Sequence, residues 1–249
     1  MTKKAIWEKR WQKKAKNLLK STGLDFFAVQ AFKVLDGHLT AKDKTILEIG
    51  SGTGRFCIAL AQKYPEKKIL GIDYTQESIA LSQAGAAARK LNNVQFQKAD
   101  LFHLPFKDNS FDFVFENGVI EHFTNYQEAL REMKRVVKNG GKIAINVNNW
   151  YCFPKTLEKK LLGKAYPFGY EKSFKHREVA KAFKQLGLKE VEVYAYNPFN
   201  YLVRFFFFSR KLKNAAAKLF LSLERSLNRL SGNRFSKRFG YMIFGVGRK

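Results

Sequence analysis

Cysteine is nearly absent. Cys57 and Cys152 are the two in 249 residues, which excludes a disulfide framework and a four-cysteine zinc site and fits a reducing cytoplasm. No metal site is expected. Long apolar runs are missing as well. No stretch reaches the roughly 18–20 uncharged residues of a membrane span, and the nearest, residues 199–209, is interrupted by Arg204. The segment Met1–Arg10 carries charge without an apolar run behind it, so no secretory signal is expected. Gly-Lys-Ser/Thr occurs nowhere, which removes a P-loop.

Acidic residues are scarce, 21 against 46 Lys+Arg, for a net charge of +25. Residues 1–20 hold eight basic side chains and one acid, Glu8, and residues 201–249 hold twelve and one, Glu224. The middle of the chain is only mildly basic. Polycationic ends attract phosphates, on an anionic bilayer or on RNA. The apolar share, 45%, is that of a folded protein with a sizeable core.

Hydrophobic period changes along the chain. Residues 1–40 read as a basic helical extension or lid, with Trp7, Trp11, Ala15, Leu18 and Leu19 at helical spacing. From residue 41 short apolar strands alternate with helices. Strands are expected at Lys44–Gly50, Lys68–Asp73, Val94–Lys98, Phe111–Phe115 and Lys142–Val147, the last following a turn at Asn139-Gly140-Gly141. Helices are expected at Phe56–Lys63, Ser78–Leu91 and Tyr126–Val137. Residues 150–172, aromatic, basic and broken by Pro154, Gly163, Pro167 and Gly169, read as a loop-rich, acceptor-side lid or insertion, expected with the N-terminal helices to cover the ligands. A helix N-capped by Ser173 and strands at Leu188–Tyr196 and Tyr241–Gly247 complete the pattern, the last two as an antiparallel pair at one sheet edge. This is an α/β, Rossmann-like, seven-stranded and mostly parallel sheet sandwiched by helices. A basic, aromatic helical insertion, 199–238, precedes the last strand.

Chemistry concentrates at the expected carboxyl ends of the strands, where ligands of such sheets bind. The run Glu48-Ile49-Gly50-Ser51-Gly52-Thr53-Gly54-Arg55 is a strand, a glycine turn and a helix start. Glycines allow a sharp turn and close approach, and the open N–H groups of a helix start favour anions. The spacing is G-x-G-x-G, whereas the dinucleotide fingerprint would need glycine where Arg55 stands. Asp73 ends the second strand and can accept from both hydroxyls of a ribose. Asp100, in Ala99-Asp100-Leu101, can accept from an exocyclic amine. Glu116-Asn117-Gly118-Val119-Ile120-Glu121-His122 follows the fourth strand. Asp112 reads as a structural partner and Cys57 as a small core residue.

Together these pieces resemble the class I S-adenosylmethionine-dependent methyltransferases, most of all the small-molecule and quinone-biosynthesis subgroup, whose fourth-strand segment often ends in Glu-His. The resemblance covers residues 44–149 closely and the rest loosely, and makes 41–249 the methyltransferase domain. It implies that Gly50, Ser51, Gly52 and Gly54 wrap the methionine part of S-adenosylmethionine, with Glu48 helping to hold its ammonium. It implies that Asp73 takes the ribose hydroxyls, Tyr74 lies against the adenine, Asp100 accepts its amine beside the Leu101 backbone, and Asn117 lines the sulfonium end. This sequence departs from the family in its basic ends and in the long segment before the last strand. No Asn/Asp-Pro-Pro-Tyr run follows strand four, which argues against transfer to an exocyclic or amide nitrogen.

Methyl transfer from a sulfonium needs alignment first, and a base only if the acceptor loses a proton. The base candidates are His122, His176, Glu121, Tyr166 and Tyr170, with His122 best placed. Residues 199–230 add an amphipathic basic helix with aromatic weight, including Phe205 through Phe208, which fits an interfacial surface as well as packing on the sheet. The leading expectation is methylation of a small, apolar or lipid-like acceptor by a cytoplasmic protein peripheral to the inner face of the membrane. An RNA or protein methyltransferase is second, and a non-catalytic cofactor-binding scaffold third.

Overall fold

In a computed structural model, the described residues are 3–17, 22–163, 166–197, 210–231 and 234–249. Strand alternation builds two cores on one sheet. In β1 (Thr45–Ile49), Leu47 and Ile49 turn to one face while Ile46 turns to the other. In β4 (Phe111–Asn117), Val114 joins the first face and Phe113 and Phe115 the second. The remaining strands are β2 (Lys68–Asp73), β3 (Val94–Lys98), β5 (Val137–Asn148), β6 (Lys189–Tyr196) and β7 (Met242–Arg248), in sheet order β3-β2-β1-β4-β5-β7-β6. β7 runs antiparallel to both β5 and β6, and the other recorded pairings are parallel. The fold is thus the seven-stranded, mostly parallel α/β sandwich expected, with the mixed pair at one edge.

Helices cover both faces. In chain order they are α1 (Lys3–Ala15), α2 (Phe26–Asp36), α3 (Arg55–Lys63), α4 (Gln76–Ala87), α5 (Tyr126–Val136), α6 (Phe153–Leu162), α7 (His176–Gln185), α8 (Arg210–Ser231) and α9 (Arg234–Phe239). α2 is capped by Asp25, whose Oδ1 accepts from Ala28 N at 2.8 Å. It docks on α3 through Asp36, which accepts from Lys63 Nζ (2.5 Å) and the Tyr64 hydroxyl (2.6 Å). Asp112 is structural: its Oδ2 takes Thr45 N, Thr45 Oγ1 and Lys44 N, and its Oδ1 pairs with Lys138 at 2.8 Å.

Three local expectations change. Residues 153–162 form a helix, because Pro154 stands in its first turn, where a missing N–H costs nothing. Asn139-Gly140-Gly141 lies inside β5, since Gly140 N donates to Lys249 O and Lys249 N to Gly141 O, extending the ladder. Ser173 does not cap α7. Its hydroxyl receives Lys159 Nζ at 3.1 Å, and the N-terminus is held instead by Glu178, whose carboxylate takes Lys175 N at 2.7 Å. Leu18, Leu19 and residues 199–209, with Phe205–Phe208, lie outside the described residues.

Candidate active site

Four strand ends meet around one cavity of about 650 Å³, within the usual range of small-molecule sites. Its floor is the turn after β1. Gly50 and Gly52 have φ of +67° and +56°, which side chains rarely adopt. Gly52 N donates to Asp73 Oδ2 at 3.0 Å, and Ser78 Oγ donates to Gly52 O at 2.5 Å, so the turn is tied to the end of β2 and the start of α4. Ser51 Oγ lies buried at this turn without a protein partner, as does Trp11 Nε1 above it. Buried polar atoms rarely stay unmatched, so the cradle fits a polar ligand.

Glu48, Gly50, Ser51, Gly52, Asp73, Tyr74, Asp100, Leu101, Asn117 and His122 line this cavity. Asp73 also takes Thr75 N and Oγ1 on Oδ1, both at 3.0 Å. Asp100 accepts from Phe102 N at 2.9 Å, Asn117 from Asn146 Nδ2 at 2.5 Å, and Tyr74 is 53% exposed at the rim. Glu48 is buried, and its Oε2 receives Cys57 N (3.1 Å) and Sγ (2.8 Å). Burial pushes the Glu48 carboxyl up to about 7 against those hydrogen bonds. Burial and Glu48 together push the Cys57 thiol up, so it is inert. Gly54 stands apart from the other glycines of the turn. It does not line the cavity, and a Cβ there would meet Ser82 Cβ at 2.6 Å and Phe96 Cζ at 2.8 Å. Its glycine serves close packing and a left-handed N-cap for α3 (φ +70°).

The rest of the cavity is lined by residues that sequence reasoning did not place at the site. Trp7, Arg10, Trp11 and Lys14, at i, i+3, i+4 and i+7, present one face of α1 to it. Burial, then Arg55 and Arg10, bring the Lys14 ammonium down to about 8. Asn146 and Asn148 come from β5, Tyr196 and Tyr241 from beside β7, and Lys155 and Glu171 from the 150–172 insertion. Glu171 pairs with Lys155 (3.2 Å) and Lys159 (3.3 Å), accepts from the Tyr166 hydroxyl (3.0 Å), and lies 4.0 Å from His122 Nε2. The available signal was the i, i+4 pair Lys155 and Lys159 beside one of the insertion's two acids.

The base candidates separate. His122 lines the cavity, with Nδ1 3.1 Å from Tyr170 O and Trp7 edge-on at 5.2 Å. Glu121 and Tyr166 line it too. His176 and Tyr170 do not; His176 Nε2 is held at 2.7 Å from Lys237 O.

A glycine turn, strand-end carboxylates, and polar and aromatic side chains from β5, β6 and the 150–172 segment thus line one cavity of an α/β fold. Residues 40–194 match the family described as Methyltransferase domain. The chain belongs to the class I S-adenosylmethionine-dependent methyltransferases. It is 31% identical over 175 residues to the demethylmenaquinone methyltransferase of Geobacillus stearothermophilus, covering 62% of this chain and 75% of that protein. Among solved structures it is similar to an S-adenosylmethionine-dependent methyltransferase of Thermotoga maritima, with TM-score 0.63, 18% identity, and 98% and 99% of the two chains covered. It is also similar to Haemonchus contortus phosphoethanolamine N-methyltransferase 2 in complex with S-adenosyl-L-methionine, with TM-score 0.63, 18% identity, and 89% and 52% covered. Among the described residues no helix is long and apolar enough to cross a membrane.

Proposed function

We propose that this enzyme methylates a small, largely apolar acceptor carrying ring oxygens, of the quinol class, at a bilayer surface. The observation that carries the reading is one cavity that includes the glycine turn and is also lined by Trp7, Phe168, Tyr196, Tyr241 and Met242, with polar groups set among them. The likeness to demethylmenaquinone methyltransferase supports the acceptor class.

S-adenosylmethionine supplies a methyl group on a cationic sulfur, reactive without further activation. The chain's part is binding and alignment. N–H groups of the Gly50–Gly52 turn and the start of α3 would receive the methionine carboxylate. Asp73 would accept from the ribose hydroxyls and Asp100 from the adenine amine, with Tyr74 against the ring. Glu48 would help hold the ammonium, and Asn117 would line the sulfonium end. Trp7 and Trp11, stacked at 5.5 Å, exclude water from above.

The surface reading rests on α8. Leu219, Leu223 and Leu230 are 65%, 43% and 86% exposed and fall within about 40° of one another on the helical wheel. Arg225 and Arg229 are exposed elsewhere on the same helix. An apolar stripe beside basic side chains suits an anionic bilayer better than RNA, which offers few apolar contacts.

The test is incubation with methyl-labelled donor and a reduced short-tailed naphthoquinone, beside RNA and protein fractions. Label is expected in the naphthoquinone. Label in RNA or protein instead would overturn the reading.

A further inference from the structure

Glu121 has half of its hydrogen bonding undone. It sits in the short turn Ile120–His122 after β4 and is 2% exposed. Its Oε1 accepts from Asn148 Nδ2 at 2.7 Å. Its Oε2 is buried with no protein partner. Glu121 is one of the residues that line the cavity, beside Gly118, where an added Cβ would stand 3.6 Å from Oε1. An unmatched buried oxygen costs about 1–3 kcal/mol, a cost that a ligand in the cavity can remove.

The neighbours fix which oxygen can donate. Lys155 Nζ, a pure donor, bonds to Asn148 Oδ1. Asn148 must therefore turn its amide nitrogen to Glu121 Oε1, which is then an acceptor. The charged and titratable groups around Glu121 include Glu116, Glu171, Lys155, Lys159 and His122. Glu116 is committed to Val119 N, Ile120 N and Asn146 N. Lys155 is committed to Glu171 and Asn148. Burial, with Glu116 and Glu171 nearby, holds the Glu121 carboxyl well above the usual glutamate range despite Lys155. Glu121, His122 and Glu171 offer ligand atoms within 4.8 Å of one another. Two lysines already match the charge of Glu171, which disfavours a divalent cation there.

We propose that Glu121 is the acceptor-recognition group of the cavity: its Oε2–H donates a hydrogen bond to a ring oxygen of the methyl acceptor, with Asn148 and Lys155 setting the direction of that donor. This rests on the quinol reading for the acceptor class and adds the residue that reads its oxygen.

The probe is 1-naphthol, with naphthalene as the oxygen-free control, titrated into protein saturated with S-adenosylhomocysteine and followed by tryptophan fluorescence. In Glu121→Gln the amide can keep both the donor and the acceptor, so naphthol binding should stay within about threefold of wild type. In Glu121→Met it should fall about tenfold or more, the loss of about one hydrogen bond. Naphthalene should bind all three alike, and S-adenosylhomocysteine affinity should be unchanged, which also reports folding. A measurement on wild type alone is the infrared difference spectrum at neutral pH. The stretch of a protonated carboxyl should shift as naphthol binds and be missing in Glu121→Gln. The proposal is overturned if wild type does not bind naphthol, if Glu121→Met binds it like wild type, if Glu121→Gln loses it, if no such carboxyl band moves, or if added zinc occupies the site stoichiometrically. Naphthol bound through Glu121 with no methyl transfer to reduced naphthoquinone would sink the quinol reading alone.

Discussion

The indole of Trp11 lies against Gly52. A Cβ on that glycine would stand 2.9 Å from Trp11 Cη2. Helix α1 and the turn after β1 are therefore fitted to each other, and Gly52 is held at φ +56° where a side chain is strained. Gly52→Ala should lower S-adenosylhomocysteine affinity by tenfold or more, since strain and collision together cost about 1–3 kcal/mol. Calorimetry checks this, with circular dichroism to show the fold retained. Unchanged affinity would detach the turn from cofactor binding.

Asp73 joins the turn to the end of β2 through Gly52 N and Thr75. Asp73→Ala should weaken S-adenosylhomocysteine binding by roughly 10–100-fold, the worth of charge-assisted hydrogen bonds at about 1.5–3 kcal/mol. The same calorimetric titration decides it.

Glu48 gives a pH signature with a definite sign. Its folded-state carboxyl stands at about 7, above the ordinary value of 4.5. Its contribution to stability is full below the unfolded value and is lost as pH rises toward 7, by on the order of 3 kcal/mol in all. Glu48→Gln should flatten that fall and make the variant more stable than wild type at pH 8. Urea unfolding from about pH 4.5 to 8 measures it. A wild type that gains stability over this window relative to the variant would contradict the assignment.

Lys155 and Glu171 form a buried pair 3.2 Å apart. Lys155→Met leaves the carboxylate with Lys159 and Tyr166 and should cost about 3 kcal/mol of stability, as breaking one side of a buried pair does. A shift in the urea midpoint at unchanged slope would report it.

The α8 stripe predicts a separable loss. Substituting Leu219, Leu223 and Leu230 with serine should abolish sedimentation with phosphatidylglycerol-containing vesicles while leaving S-adenosylhomocysteine affinity unchanged. Wild-type protein that stays in the supernatant would remove the bilayer from the proposal.

Local signals made the sheet legible. Lys68–Asp73 and Val94–Lys98 are the bounds read from sequence and those of β2 and β3, because short apolar runs between turn residues leave little choice. α6 was not legible, since Pro154 and Gly163 read as breakers when they are its first turn and its C-cap. At the site, residues on strand-end turns could be named because chemistry and turn are contiguous in sequence. Trp7, Lys155, Glu171 and Tyr196 reach the same cavity from three remote segments, and no local period marks that convergence. Gly54 shows the converse: a glycine in a ligand-wrapping spacing can be required by the phenylalanine behind it.

The position of β7 between β5 and β6 has a consequence for biosynthesis. The strand that welds the sheet edge is made after the strand it must hold in place. Until the ribosome has released residues 242–248, β6 has no hydrogen-bonded neighbour and β5 offers a bare apolar margin. Chaperone dependence and damage from frameshifts should therefore be sensitive to residues 242–248.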